Sequence, residues 1–352
     1  TKHQAESFRL AMTGMHTLYS HEWTYTFCVP QLTPQEDKNR QQDATVEVFW
    51  EADGLDGSLQ EKPVSQLTEN VTPYDKRGWC LAEVQWSSMR DSNEFGALLG
   101  TTDLPGQEIL YRAPMLPATF RRELSKSDVR FTHRADFGPL IRSHRSAFEE
   151  KSKQCAVLTL HHLPAEQVDI LADTLQSYNL GFFRLSHSTT NIPGFALRLS
   201  WVSTLSDVVL PDCGIGDLEA KDFANALTSS CPWRWLDLRK NRISNQGAED
   251  LASELPNSGL EHLGLQGNQI GDSGARALVA AWSDTLLEMD LKDNLITEAA
   301  ADALLASLQE AKPTARLHVK DAEASLSVAA EPDHPPPAEP DQPSLPGSLP
   351  CP

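Results

Sequence analysis

Three stretches of the chain repeat one pattern. They read WLDLRKNRISNQGAEDLASEL from Trp235, HLGLQGNQIGDSGARALVAAW from His262 and EMDLKDNLITEAAADALLASL from Glu288. Their common pattern is L-x-L-x-x-N-x-I-x-x-x-[GA]-A-x-x-L, and its asparagine slot holds Asn241, Asn268 and Asn294. These asparagines lie 27 and 26 residues apart. A period of this length predicts stacked structural units, each of which buries its apolar side against a neighbour.

Weaker copies extend the array on both sides. The second leucine position of the pattern recurs at Leu160, Leu185, Leu210, Leu238, Leu265, Leu291 and Val319. Successive positions are 25, 25, 28, 27, 26 and 28 residues apart. The outer copies are degenerate, which is typical of the capping units of such arrays. We therefore predict a solenoid over residues 154–322.

The slots of the pattern predict the structure of one unit. In L-x-L the two leucines point to one side and the middle residue to the other, as in a β-strand. The second half of the unit has helical spacing, for example at Ala248, Leu251 and Leu255. An asparagine after the strand can hydrogen-bond backbone groups that a turn leaves unpaired, whereas Cys213, in the same slot one unit earlier, bonds more weakly. The expected fold class is α/β, with short parallel strands inside and helices outside.

The stretch from Val208 to Leu308 resembles the ribonuclease-inhibitor type of leucine-rich repeat. This resemblance implies a curved solenoid whose concave strand face commonly binds another protein. Because side chains alternate along a strand, the residues flanking the buried leucines should lie on that face. The candidate partner-binding residues are Trp235, Asp237, Arg239, His262, Gln266, Glu288, Asp290 and Lys292.

The chain is acidic, and this charge limits the classes of partner that it is expected to bind. It contains 49 acidic and 30 basic residues, a formal net charge of −19. Residues 205–312 alone hold 18 acidic and 8 basic residues. Such a field repels phosphate backbones and anionic headgroups, so we expect no nucleic acid and no membrane partner. It would steer a basic protein surface toward the solenoid; the alternative is that the charge only keeps the solenoid soluble.

Cysteine usage and the absence of known motifs narrow the function further. The six cysteines lie far apart and form no C-x-x-C pair, which predicts a reduced, cytoplasmic compartment. No apolar run approaches the roughly 18 residues needed to span a bilayer. The glycine-rich phosphate motifs and the nucleophile-elbow motif do not occur in the sequence. We therefore expect neither a cofactor nor a metal.

Residues 1–115 contain no such repeat, and we expect a small α/β domain there. The chain opens without Met and is already periodic by Phe8, so we expect this domain to be incomplete. The segment RGWCLAE at residues 77–83 resembles the S-x-W-C-x-x-E-L segment of Toll/interleukin-receptor-type (TIR) domains, and MHTLYSH from Met15 resembles part of the related heterokaryon-incompatibility-type domains. In NAD-cleaving TIR domains the corresponding glutamate is catalytic, which implies Glu83 as a candidate catalytic residue. The structural alternative is a helix carboxylate beside two tryptophans that fill the core.

Residues 116–153 are predicted to be a linker and a cap helix. Between Arg121 and Lys153 the charge inverts to nine basic against five acidic residues. Apolar side chains at helical spacing from Phe137 to Phe148 predict an amphipathic helix that covers the first repeat. A helix that docks a partner is the alternative. Residues 323–352 are rich in proline and acidic residues, a composition that predicts a disordered tail.

These observations favour a protein-interaction module that binds a partner on its concave face. The alternative function, implied by the TIR resemblance, is an NAD-cleaving hydrolase that uses the repeats as a sensor. A third class, GTPase-activating repeat proteins, shares the repeat type and the acidic charge but not the length of the array. Because no set of catalytic side chains is recognisable in the sequence, we expect no enzymatic activity.

Overall fold

A computed structural model describes most of the chain from residue 76 onward. The described residues are 15, 17, 45–50, 58–63, 72, 76–91, 112–131, 136–190 and 193–320. The tail predicted for residues 323–352 and most of the domain predicted for residues 1–115 lie outside them. The division of the chain at residues 115, 153 and 322 stays a prediction.

Two sheets occur among the described residues. Strands β1 (Thr45–Trp50) and β2 (Ser58–Pro63) form an antiparallel pair. A second, parallel sheet has seven strands in simple chain order. They are β3 (Val157–His161), β4 (Phe182–Ser186), β5 (Asp207–Val209), β6 (Trp235–Asp237), β7 (His262–Gly264), β8 (Glu288–Asp290) and β9 (Arg316–His318).

Helices precede the parallel sheet and connect its strands. Those before the sheet are α1 (Gly78–Ser87), α2 (Pro117–Leu124) and α3 (Phe137–Gln154). Those between the strands are α4 (Ala165–Thr174), α5 (Phe195–Ser200), α6 (Asp217–Ala226), α7 (Asn245–Glu254), α8 (Asp272–Ala280) and α9 (Glu298–Ala311). Each strand is therefore followed by a helix and then by the next parallel strand, which is the order that the repeat predicts.

The core of the solenoid lies between the sheet and these helices. Leu236, Leu263 and Met289 are register partners on adjacent strands, and all three are buried. Leu251 and Leu278, at the same position of successive helices, are fully buried opposite the strands. The residues that flank the inward leucines are more exposed, as the alternation along a strand requires. The prediction of an α/β leucine-rich-repeat solenoid is confirmed.

The repeated asparagines join successive units through their side chains. The amide oxygen of Asn268 accepts a hydrogen bond from the Ile243 backbone N–H at 3.0 Å. Its amide nitrogen donates to the carbonyl oxygens of Leu238, in the preceding unit, and Leu265, in its own, at 3.0 and 2.9 Å. Asn241 and Asn294 make the corresponding bonds. Each asparagine thereby satisfies buried backbone groups on both sides of a unit boundary.

Cys213 performs part of the same task one unit earlier. Its thiol donates to the Leu185 carbonyl oxygen at 3.2 Å. Each asparagine donates to the corresponding carbonyl oxygen of the unit that precedes it. Burial raises the pKa of Cys213 to about 12, so the thiol keeps its proton and remains a donor. A thiol has no amide oxygen for the opposing N–H, and the Thr190 N–H donates instead to the Cys213 backbone carbonyl oxygen at 3.3 Å.

A second set of side chains links the helix N-termini, and the sequence analysis did not identify it. Asp217, Asn245 and Asp272 occupy the first position of α6, α7 and α8. The Asp217 carboxylate accepts from the backbone N–H groups of Ser244 and Gly247 at 2.8 and 3.0 Å. Burial alone would raise the pKa of Asp217, but these bonds and that from the Ser244 hydroxyl outweigh it, and the pKa is lowered.

Glycine is required at two of the positions where a helix N-terminus bonds the first residue of the preceding helix. A Cβ atom on Gly247 would lie 2.7 Å from Asp217 Oδ1 and 3.0 Å from Ala220 Cβ. The absence of a side chain therefore lets α7 approach α6 closely enough for its N-terminal N–H groups to reach the carboxylate. Gly274 stands in the same relation to Asn245.

The N-terminal end of the solenoid is covered by three helices. Helix α3 packs against both α1 and α2, and Phe148 on α3 contacts the Tyr178 ring of the first repeat with 5.8 Å between ring centroids. The edge strand β3 is partly paired, because the Thr159 N–H donates to the Asp91 carbonyl oxygen at 2.7 Å. Helix α1, which lies on the N-terminal side of the boundary expected at residue 115, thus contributes to the cover.

His144 is buried at the centre of this cap. Its ring stacks on Phe120 with 3.9 Å between centroids, and Nε2 donates to the Met115 carbonyl oxygen at 3.0 Å. Burial lowers the pKa of His144 to about 4, although the hydrogen bond to Met115 acts in the opposite direction. The cap therefore holds a histidine that stays neutral at neutral pH.

We predict that Asn268→Ala lowers the free energy of unfolding by about 2–3 kcal/mol, because it leaves one N–H and two carbonyl groups with unpaired buried atoms. Urea unfolding followed by circular dichroism measures the change. The exposed Asn257→Ala is the matched control, and we expect it to change the free energy by about 0.5 kcal/mol or less. Equal losses in both variants would contradict the structural role of Asn268.

We also predict that acid destabilises the cap through His144. The unfolded chain binds a proton near pH 6.5 and the folded chain only near pH 4, so stability falls as the pH drops between these values. The loss between pH 7.5 and pH 5 should be about 2 kcal/mol. Urea unfolding of the wild type and of His144→Gln at both pH values measures it. Equal pH dependence in the two proteins would refute this origin.

Candidate functional site

Rows of side chains cross the sheet face that points away from the helices, which we call the concave face. Strand register aligns Trp235, His262 and Glu288 in one row. It aligns Asp237, Gly264 and Asp290 in the next row. Arg239, Gln266 and Lys292 follow two residues further along the chain. Because neighbouring strands lie about 4.8 Å apart, each row is a continuous line of neighbouring side chains.

These rows surround one depression of about 120 Å³. It is lined by Trp235, Asp237, Arg239, His262, Leu263, Gly264, Gln266, Glu288 and Asp290. Seven of the eight partner-binding residues expected from the sequence are thus brought together. The eighth, Lys292, lies beside the depression and pairs with Asp290, with Nζ 3.4 Å from Oδ2.

Gly264 opens the depression. It lies between Asp237 and Asp290 in the row, so the strands on both sides of it carry a carboxylate at this position. A Cβ atom on Gly264 would lie 2.9 Å from Asp237 Oδ1. Because Gly264 has no side chain, the Asp237 carboxylate can lie close over it, and Asp290 borders the depression from the other neighbouring strand.

Asp237 is an unusually buried charge for this face. Only 7% of the residue is exposed. Its Oδ1 accepts from the Arg239 backbone N–H at 3.0 Å, and its Oδ2 lies 3.2 Å from Arg239 Nε. Burial raises the pKa of Asp237 and the Asp290 charge adds to the rise, although attraction to Arg239 opposes both. The fold therefore holds this carboxylate at some cost.

Aromatic and imidazole rings form the other wall. The Trp235 and His262 rings are stacked, with centroids 4.3 Å apart and an interplanar angle of 24°. Glu288 lies between two histidines: its Oε1 is 3.0 Å from His318 Nε2, and its Oε2 is 3.6 Å from His262 Nδ1. His318 was not among the expected residues, yet it is the middle residue of the last L-x-V, so the alternation rule could have found it.

The concave face is not the acidic part of the solenoid. Of the 18 acidic residues between 205 and 312, four lie on the two aligned rows: Asp207, Asp237, Glu288 and Asp290. Arg184, Arg239, Lys292 and Arg316 lie on or directly beyond the same rows. The other 14 acidic residues belong to helices and connections. The charge that led us to expect a basic partner is thus mostly away from the candidate site.

Other candidate chemistry is less well supported. Glu83 lies half-buried on α1, five residues after the helix begins, and α1 packs against α3 in the cap. The neighbouring Trp79 donates its indole N–H to Asp136 Oδ2 at 2.8 Å, and Trp86 is fully buried, so the tryptophans serve packing. Among the described residues, no three His, Cys, Asp or Glu side chains are placed to hold a metal ion. No helix in this part of the chain is long and apolar enough to cross a bilayer.

Comparison with known protein families identifies repeats in this chain. A leucine-rich-repeat family model matches residues 235–252 and 257–279, which span β6 to α8. A solved structure of a Bacteroides fragilis protein is similar at 16% identity and a TM-score of 0.34, over 52% of this chain and 61% of that one. An internalin from Listeria monocytogenes is similar at 19% identity and a TM-score of 0.30, over 51% of this chain and 50% of that one. The comparison with curated proteins gave no match.

The chain therefore contains leucine-rich repeats in its C-terminal half. The ribonuclease-inhibitor subtype, the TIR resemblance of the N-terminal part and the cytoplasmic location stay predictions. The family match does not extend to residues 1–115.

We predict that Asp237→Asn does not lower the free energy of unfolding by more than about 0.5 kcal/mol at pH 7, because the fold disfavours the charged form of this residue. The raised pKa means that the wild-type residue costs stability as the pH rises above the unfolded value of 3.8. Urea unfolding at pH 7 measures the difference. A loss of about 2 kcal/mol would mean that the ion pair with Arg239 is structurally required.

Proposed function

We propose that this protein is an interaction module that binds a protein partner on the concave face of its repeats. The observation that carries the proposal is the depression at Gly264, because it gathers seven of the expected partner-binding residues from three units on a face that no other described element covers. Within the described residues, the helices lie on the opposite side of the sheet. A rigid parallel sheet holds these side chains at fixed spacing, which favours recognition of an extended surface.

The size of the depression favours a macromolecular partner over a free small molecule. Small-molecule pockets commonly enclose about 300–1,000 Å³, whereas this depression measures about 120 Å³. A space of that size accommodates one side chain of a larger ligand. Most of the contact would then come from the surrounding rows.

The partner surface should carry mixed charge. Asp237 and Asp290 are already paired with Arg239 and Lys292, so the free face presents alternating signs and not one acidic field. A basic partner, as expected from the sequence, would also be attracted to the acidic helices on the outer side. The concave face itself favours a partner whose basic and acidic groups alternate.

We expect a concave-face variant to lose its partners while a matched outer-face variant keeps them. The concave variant combines Trp235→Ala, Asp237→Asn, Glu288→Gln and Asp290→Asn. The control combines Trp201→Ala, Glu166→Gln, Glu249→Gln and Glu310→Gln, which removes one exposed tryptophan and three exposed acids from the opposite side.

Quantitative co-purification of the two variants and the wild type measures the outcome. We expect the concave variant to retain less than about a tenth of at least one wild-type partner, since several central contacts are lost together. Circular dichroism must first show that both variants are folded. Identical partner sets for the concave variant and the wild type would reject concave-face binding.

A further inference from the structure

We propose that the depression at Gly264 receives an arginine side chain from the partner. This inference rests on the proposed function and specifies the chemistry of its central contact. Three properties of the depression support it: the charge of its lining, the shape of its walls and its volume.

The lining has an excess of negative charge although the whole face does not. Asp237, Glu288 and Asp290 contribute three carboxylates, and Arg239 contributes the single permanent cation. Arg239 is directed at Asp237, because its Nε lies 3.2 Å from Asp237 Oδ2. Lys292 pairs with Asp290 from outside the lining. Among the described residues, Glu288 is paired with two imidazoles, which are charged only when they are protonated. A cationic group in the depression would therefore meet carboxylates that the protein compensates only in part.

The positions of the acids favour a planar, many-donor cation. Asp237 and Asp290 face each other across the strand that carries Gly264, and Glu288 is two residues from Asp290 on the same strand. A guanidinium has five N–H donors in one plane and can bond carboxylates on different sides at the same time, whereas an ammonium is a point charge. The arrangement therefore fits arginine better than lysine.

The rings of the wall add a second contact of the same specificity. The Trp235 and His262 side chains are stacked and line the depression beside the carboxylates. Guanidinium groups are weakly hydrated and pack against aromatic rings, with cation–π attraction of about 0.5–2 kcal/mol. The volume of about 120 Å³ is sufficient for a guanidinium and the end of its alkyl stem, but not for a tryptophan.

The presence of Arg239 in the lining does not oppose this occupant. Its guanidinium is fixed on the Asp237 side by both the side-chain pair and the backbone bond that orders the carboxylate. The incoming group would bond Asp290 and Glu288 and meet Asp237 from across the strand that carries Gly264. Displacement of Lys292 from Asp290 would be inexpensive, because this pair is separated by 3.4 Å and about a quarter to a third exposed.

Titration of the full chain with acetyl-Gly-Arg-Gly-amide tests the inference, with the lysine and the citrulline tripeptides as matched probes. Citrulline keeps the shape of arginine and removes its charge. Nuclear magnetic resonance follows the Gly264 amide and the Trp235 indole N–H. We expect saturable shifts at both groups with the arginine probe at millimolar affinity, at least about tenfold weaker binding of citrulline, and intermediate binding of lysine.

Two variants locate the site. Asp290→Asn should weaken binding of the arginine probe at least about fivefold, since it removes one charge-assisted contact. Glu249→Gln, on the outer side of α7, should leave the affinity unchanged.

Three results would overturn the inference. They are no saturable shift at Gly264 with the arginine probe up to about 20 mM, equal affinity for citrulline, or unchanged affinity in Asp290→Asn. These failures are distinguishable from failure of the proposed function. If the concave-face variant loses its partners but the arginine probe does not bind, the proposed binding face is supported and the proposed arginine contact is rejected.

Discussion

The whole solenoid depends on one requirement, which is that every backbone polar group at the end of a short buried strand must find a partner. Strands of three residues, such as β6 and β7, pair only a few of these groups through the sheet. The asparagine that follows β6, β7 and β8 supplies the missing bonds, and it does so across a unit boundary. A unit without its neighbour would leave these groups unpaired in the core, so the units are stable only as a stack.

The helical side solves the same problem differently. Helices begin with N–H groups that have no partner within the helix, and in the central repeats the first residue of one helix accepts hydrogen bonds at the N-terminus of the next. Asp217, Asn245 and Asp272 carry out this role for α7, α8 and α9. The stack is therefore linked on both sides of its core, and this rigidity fixes the spacing of the rows on the concave face. A surface that recognises a partner through fixed rows requires such a scaffold.

The candidate site differs from these links, because its charged side chains do not stabilise the fold in the same way. The pKa of Asp237 is raised by burial, and the partners of Glu288 in the described part of the chain are histidines. Groups held at a cost to stability are commonly found where a protein binds or reacts. The contrast with Asp217, whose pKa is lowered by the bonds it accepts, separates carboxylates that hold the fold from those available to a partner.

The repeats, the parallel strands and the identity of the concave residues could be predicted from the sequence, because periodicity is a local property that a single unit displays. Trp235, His262 and Glu288 follow directly from the spacing and the alternation of side chains. The tertiary structure alone decided which residues that lie far apart in the sequence come into contact. Gly264 lies in a depression because Asp237 and Asp290 are on the two strands beside it, and α1 joins the cap through contacts with α3 that its sequence position does not indicate. The separation of acidic helices from a charge-balanced concave face is likewise invisible in net charge, since composition counts residues and the fold assigns them to sides.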